Sequence, residues 1–206
     1  ILAHPVARLW AFEIDHEWAE YLRSTIDDDR LHVFEQNFLD LDFQMLQEHA
    51  PWTVLANLPY QVTFPILYVF QAERALIKEG VVMVQEEVAQ KIVKTSGRGY
   101  GFQSLFLQYY FNWKLLKKIP PSAFKPPPKV DSRLIYFKPK ADVEPIADEQ
   151  QFWKFIKLCL RFPRRTLKNN LSSTHYDLSR INQDILGLRA QQMSIDDFIE
   201  LWERVR

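Results

Sequence analysis

Cysteine is almost missing from this 206-residue chain: Cys159 stands alone, so no internal disulfide can form. The five histidines are scattered and fall in no metal-ligand spacing, so no metal is expected. Long apolar runs are missing too. The longest, around Val62 to Phe70, is too short to cross a bilayer, and no basic stretch followed by an apolar one opens the chain. The expectation is a cytoplasmic protein with no membrane contact. Internal repeats and low-complexity tracts are absent as well. What is present is a hydrophobic content of 47%, enough to bury the core of one medium domain with a small appendage. The chain starts with Ile1 in the middle of what reads as a folded segment, and so reads as a fragment.

Net charge is zero, but the average hides a gradient. Residues 1 to 60 carry eleven acidic side chains against three basic ones, Arg8, Arg23 and Arg30. From Asn112 to Asn170 fourteen lysines and arginines face five acids. A polyanion would be drawn to that end, although solvated lysines on an ordinary surface give the same count.

Along the chain, short apolar runs alternate with segments of helical period, the pattern of an α/β sheet. Strands are predicted over Val6 to Ile14, Leu31 to Glu35, Trp52 to Ala56 and Val81 to Val84. A final pair, Trp113 to Ile119 and Arg133 to Phe137, is compatible with antiparallel pairing. Helices are predicted over His16 to Ser24, near Gln44 to His49, over Phe64 to Lys78, from Glu86, up to Phe111 after a glycine loop (Gly97, Gly99, Gly101), and over Ile195 to Val205 with Ser194 as N-cap. The linker around Lys138 to Pro145 divides residues 1–140 from a helical unit, 141–206.

Ligands of open α/β sheets bind outside the carboxyl ends of the strands, which directs attention to the polar residues there. Glu13 ends the first strand, where a carboxylate can accept both hydroxyls of a ribose; a helix cap or a solvated charge is the plainer reading. Asn37 follows the second strand and has an amide suited to an adenine edge, or simply to a turn. The strongest signal is Asn57-Leu58-Pro59-Tyr60. The lone pair of an aromatic amine is delocalised into its ring, so methylating it calls for positioning. The Asn57 side-chain oxygen and the Leu58 carbonyl can hold the two amine hydrogens, Pro59 stiffens the turn, and Tyr60 offers a ring on which an extruded base can stack. A strand-ending turn with a buried tyrosine would look similar.

These residues resemble the ribosomal RNA adenine dimethyltransferases of small-subunit assembly, relatives of the erythromycin-resistance methylases. Phe12-Glu13-Ile14-Asp15 and Glu35-Gln36-Asn37-Phe38 are similar to that family's cofactor motifs, and Asn57 to Tyr60 to its catalytic signature. Val84 to Ala89, Gly99 to Gly101 with Ser104, Pro121 to Ser132 and Arg164 to Leu171 match further segments in order. The resemblance implies a class I S-adenosylmethionine methyltransferase fold, a Rossmann-like sheet lacking its first strand, with a small C-terminal α-helical domain. It implies transfer of methyl groups from S-adenosyl-L-methionine to N6 of two adjacent adenosines near the 3′ end of small-subunit ribosomal RNA. It further implies that Glu13, Asn37, Phe38 and Asn57 bind the cofactor, and that Asn57, Leu58, Pro59, Tyr60 and Phe124 form the catalytic site. Phe124 supplies a second face for the base, unless it merely packs its loop. Lys125, Lys129, Arg161, Arg164, Arg165 and Lys168 are expected on phosphates of the small ribosomal subunit, although Arg164 and Arg165 could instead serve as helix C-terminal charges or internal salt-bridge partners. A monomer is the default.

Two departures stand against the resemblance. The family's glycine-rich cofactor loop has no match here, so the chain by itself is expected to bind S-adenosylmethionine weakly or not at all and to be inactive alone. Asn37 stands where the family usually has an aspartate, which forfeits charge assistance. The competing reading from another class is a non-catalytic RNA-binding assembly factor. Methyltransferases of DNA adenine or of a glutamine amide share similar tetrapeptides, but the Phe124 loop and the Arg164 to Leu171 stretch argue against both.

Overall fold

The computed structural model describes all residues from Ile1 to Arg206. Strand β1 (Leu9–Glu13) leads through helix α1 (His16–Thr25) to β2 (Leu31–Glu35), and the two strands pair in parallel. The Asp15 side chain starts α1 by accepting from the Glu17 and Trp18 amides, which satisfies donors that no helical carbonyl can reach. Strand β3 (Trp52–Asn57), helix α2 (Thr63–Ala72) and strand β4 (Ile77–Gln85) form a second parallel unit. Helices α3 (Glu86–Ile92) and α4 (Phe102–Tyr110) follow, and then β5 (Phe111–Ile119) and β6 (Ser132–Pro139). The order in the larger sheet is β3-β4-β6-β5, with β6 antiparallel to both neighbours as the sequence pattern suggested.

The sheet is in two pieces. β1 pairs only with β2, and β3 on this side pairs with nothing, so a parallel edge is left open on each. Side chains alone bridge the seam: Trp10 on β1 lies 4.8 Å, ring to ring, from Trp52 on β3, and the Trp10 indole N–H is buried without an acceptor. This is the interruption that a sheet lacking its first strand implies.

The main core begins at Leu58 and runs through the helical end of the chain. In β4, Gly80 is needed for close packing, because a Cβ there would come within 2.5 Å of the Phe137 ring, itself stacked on Phe70 at 5.5 Å. Helices α5 (Glu149–Cys159), α6 (Leu167–Leu171), α7 (Gln183–Gly187) and α8 (Ile195–Val205) make the C-terminal unit. Ser194 and Asp197 cap α8 reciprocally, and Phe198, Leu201, Trp202 and Val205 bury one of its faces. The unit is joined to α4 by the Trp153 indole, which donates to the Tyr110 hydroxyl at 2.8 Å, while that hydroxyl donates to the Glu149 carboxylate. No helix is long and apolar enough to cross a membrane.

Three expectations about elements need correction. Helix α2 stops at Ala72 rather than Lys78, because Ile77 to Glu79 are drawn into β4 by pairing with Trp52 and Thr53. The segment Phe43–His49 is a 3₁₀ helix, bounded by the Asp42 side-chain cap and Pro51. The first strand starts at Leu9 rather than Val6, because Arg30 holds the Val6 and Leu2 carbonyls in a turn before the ladder begins.

Candidate functional site at the strand ends and the cleft beside it

At the carboxyl end of β3, Asn57 is exposed and still in register with Met83, and the Leu58 amide donates to the Met83 carbonyl at 3.1 Å. Pro59 then turns the chain, and its carbonyl accepts from the Val62 amide at 3.1 Å and from the Thr63 hydroxyl at 3.0 Å. Leu58 is buried, which anchors the turn in the core. The Asn57 amide group and the Leu58 carbonyl make no hydrogen bond within the chain, so both acceptors named from the sequence are uncommitted. Being free of the chain, both acceptors are open to a ligand placed at the strand end.

Tyr60 is half-buried, and its hydroxyl meets that of Ser132 at 2.8 Å. Ser132 starts β6, directly after the proline loop on which Phe124 sits. Neither Tyr60 nor Phe124 stacks on another ring of the protein, whereas most other phenylalanines do. The base of the loop is held on both sides. The Asp131 carbonyl accepts from the Glu86 amide at 2.9 Å, Lys118 pairs with the Asp131 carboxylate at 2.7 Å, and Arg133 pairs with Glu86 at 2.6 Å. The hydrogen bond from Arg133 holds the Glu86 carboxyl below its usual range.

The residues expected to touch the cofactor lie on the smaller sheet piece. Glu13 is partly exposed at the end of β1, where one of its oxygens accepts from the Asp15 amide at 2.9 Å and the other has no partner. It does not cap α1, since Asp15 does. Asn37 is already engaged: its oxygen caps a 3₁₀ turn by accepting from the Leu39 amide at 3.1 Å, and its amide donates to Asp40 at 2.8 Å. Phe38 is wedged edge-on among Phe12, Phe43 and Phe70, at 5.4 to 5.8 Å between ring centres.

All six cations expected on phosphates, Lys125, Lys129, Arg161, Arg164, Arg165 and Lys168, are exposed, and none forms an ion pair. Arg161 and Arg165 lie on the Phe162 ring at 5.2 and 4.3 Å. The stretch from Arg164 to Leu171 also supports the fold, since Thr166 caps α6, Leu167 and Leu171 enter the core, and the Asn170 amide donates to the Cys159 carbonyl at 2.8 Å.

Sequence reasoning did not find the cleft of about 1540 Å³ between the two units. Lys91, Arg98, Lys157, Arg164 and Arg189 line it, with no acidic residue among the lining. Its glycine loop passes through positive φ at Gly97 and Gly99, and is tied to the helical unit by the Gln191 side chain, which donates to the Tyr100 carbonyl at 2.8 Å. Tyr68 of α2 also lines it, and the Lys91 ammonium sits 5.5 Å over the Phe64 ring on the same helix. The glycine loop, Arg164 and the basic stretch were each legible in the sequence, but not that they meet, because the five cations come from separate places in the chain.

The family model described as "Ribosomal RNA adenine dimethylase" matches residues 1–204. The ribosomal RNA small subunit methyltransferase A of Chlorobium phaeobacteroides (strain DSM 266 / SMG 266 / 2430) is 34% identical over 200 residues, covering 97% of this chain and 73% of that protein. The protein of the same name from Syntrophotalea carbinolica is 31% identical over 209 residues, covering 98% and 79%. Among solved structures, a dimethyladenosine transferase from Plasmodium falciparum superposes with a TM-score of 0.78 at 18% identity, covering 94% of this chain and 80% of that one. The 23S rRNA methyltransferase ErmE superposes at 0.70 and 21% identity, covering 96% and 82%. Both likenesses establish the class I methyltransferase fold.

Proposed function

Since this chain belongs to the ribosomal RNA adenine dimethylase family, we propose that it transfers methyl groups from S-adenosylmethionine to N6 of two adjacent adenosines near the 3′ end of small-subunit ribosomal RNA, in the cytoplasm. The observation that carries this reading is the pair of uncommitted acceptors at Asn57 and Leu58, set at a strand end in front of a ring with no stacking partner.

S-adenosylmethionine, when bound, supplies an electrophilic methyl group. The residues of the smaller sheet piece fit it in part: the free Glu13 oxygen suits a ribose hydroxyl, and Phe38 is a fixed apolar wall. Asn37 has only a second lone pair left to offer, so its help to an adenine edge is small. The rest of the chemistry is positioning by this chain. Asn57 and Leu58 accept the two amine hydrogens, which localises the nitrogen lone pair and aims it. Tyr60 and Phe124 offset the cost of unstacking the target base. Residues 1–140 form the catalytic unit and residues 141–206 the helical unit that contacts RNA. The unpaired cations of the cleft and of the Arg161 to Lys168 segment hold phosphates without reading sequence.

The test is methyl transfer from labelled S-adenosylmethionine to unmethylated small subunits by the natural full-length protein. Label is expected as dimethyladenosine. Binding to the subunit with no transfer would sink the catalytic reading and leave an assembly factor.

A further inference from the structure

Ser132, like Thr63 whose hydroxyl binds the Pro59 carbonyl, carries a buried hydroxyl at the end of the sheet where Tyr60 sits. Its side chain is 0% exposed, and its oxygen lies 2.8 Å from that of Tyr60, which is 72 residues earlier in the chain. The backbone of Ser132 is fixed from two directions, since it pairs with Gln85 on β4 and with Ile119 on β5. The two flanking residues are tied down as well, Asp131 to Lys118 and the Glu86 amide, and Arg133 to Glu86 and the Leu116 carbonyl. Ser132 therefore sits at a rigid point, while Tyr60 belongs to a three-residue 3₁₀ turn with no side-chain cap. No other polar contact holds the Tyr60 side chain.

Resting on the function proposed above, we propose that Ser132 is a positioning residue for methyl transfer, its hydroxyl holding the Tyr60 ring at the angle the target adenine needs. The physical reason is that a tyrosine ring on a short turn is free to swing about two side-chain bonds unless its far end is tied. Stacking a base on a swinging ring loses the alignment that transfer requires. Ser132 also ends the loop that carries Phe124, so the two aromatic faces have a common mount, and one hydroxyl couples the tetrapeptide to that loop.

The experiment is a double-mutant cycle in the natural full-length protein with Ser132→Ala, Tyr60→Phe and both together. It follows kcat and KM for small subunits, melting temperature, and the fluorescence of 2-aminopurine placed at the target adenine. Each single variant is expected to lower kcat by about tenfold, the size of one hydrogen bond, with KM little changed. The double variant is expected to be no worse than either single one, and 2-aminopurine stacking is expected to weaken equally in all three. Tyr60→Phe keeps the ring and removes no atom of β6, and its melting temperature shows what leaving the buried Ser132 hydroxyl unpaired costs the fold, so it reports on the contact even if Ser132→Ala is poorly folded. Additive losses, or a Tyr60→Phe variant with full kcat, would overturn the role of Ser132 while leaving the enzyme assignment standing. A wild-type protein without transfer to RNA would overturn both.

Discussion

Before Leu58 only Ala19 and Leu41 are buried, whereas from Leu58 onward a single apolar cluster runs to Val205. The early region is acidic, has only β1 and β2 as a ladder of its own and exposes Ile14, Trp18 and Tyr21; the later one is basic and packs its helices against the four-stranded sheet. The proposed site spans both regions, with Glu13 and Phe38 on the thin part and Tyr60, Phe124 and the cleft on the thick one. A two-stranded ladder buries too little apolar surface to offset the entropy of ordering it, so the region before Leu58 is expected to be the less stable one. Aromatic contacts such as Trp10 to Trp52 and Phe38 to Phe70 are what attach it to the rest.

The sharpest way to break this contrast is to remove one phenylalanine from each region. Phe155→Ala, in the fully buried helical core, is expected to cost about 3–5 kcal/mol, and Phe34→Ala, half-buried on β2, about 1–2 kcal/mol, both read by denaturant unfolding. Equal losses would show that the first fifty residues are as well packed as the rest. Next in size, Asn57→Ala is expected to lower kcat by about 10²–10³-fold with the melting temperature unchanged, because its side chain is exposed and bonded to nothing in the chain. A large drop in melting temperature would mean that Asn57 serves the fold.

The charge contrast is tested by salt. Lys157→Ala and Arg164→Ala are each expected to reduce the slope of log binding constant against log salt for small-subunit RNA by about 0.7–0.9. Removing the exposed Arg23 is expected to leave that slope unchanged, since Arg23 is paired with Glu20 and Glu35 in the acidic region. The smallest effect is acid sensitivity of the first turn. Hydrogen bonds from Arg30 hold the Asp28 carboxyl down to about 2. Its folded value is thus below its unfolded one, so the pair stabilises fully above about pH 4 and is lost as pH falls towards 2. Since Arg30 also binds the Leu2, His4 and Val6 carbonyls, protease access to residues 1–8 is expected to rise across that window, and Arg30→Ala to abolish the dependence.

Much of this was legible in the linear chain. The cap at Ser194, the strand before Asn57, the antiparallel last pair and the basic second half all rest on local period, local hydrogen bonding or composition, which a short window of residues contains, whereas the cap of α1 is Asp15 and not Glu13. The end of α2 was not legible, because Ile77 to Glu79 are helix-compatible in isolation and become strand only through pairing with Trp52 and Thr53. For Asn37 the sequence left open an adenine edge or a turn, and the fold spends most of its hydrogen-bonding capacity on the turn.

The sequence alone therefore determined the chemistry on offer: a tetrapeptide whose acceptors suit an aromatic amine, an acid at a strand end, and cations concentrated in one half. Only the tertiary structure decided how these act together. It left the Asn57 and Leu58 acceptors unbonded, tied Tyr60 to Ser132, and drew Lys91, Arg98, Lys157, Arg164 and Arg189 around one cleft. Those arrangements depend on contacts between residues tens of positions apart, and such contacts are set by how layers pack, which no local pattern encodes.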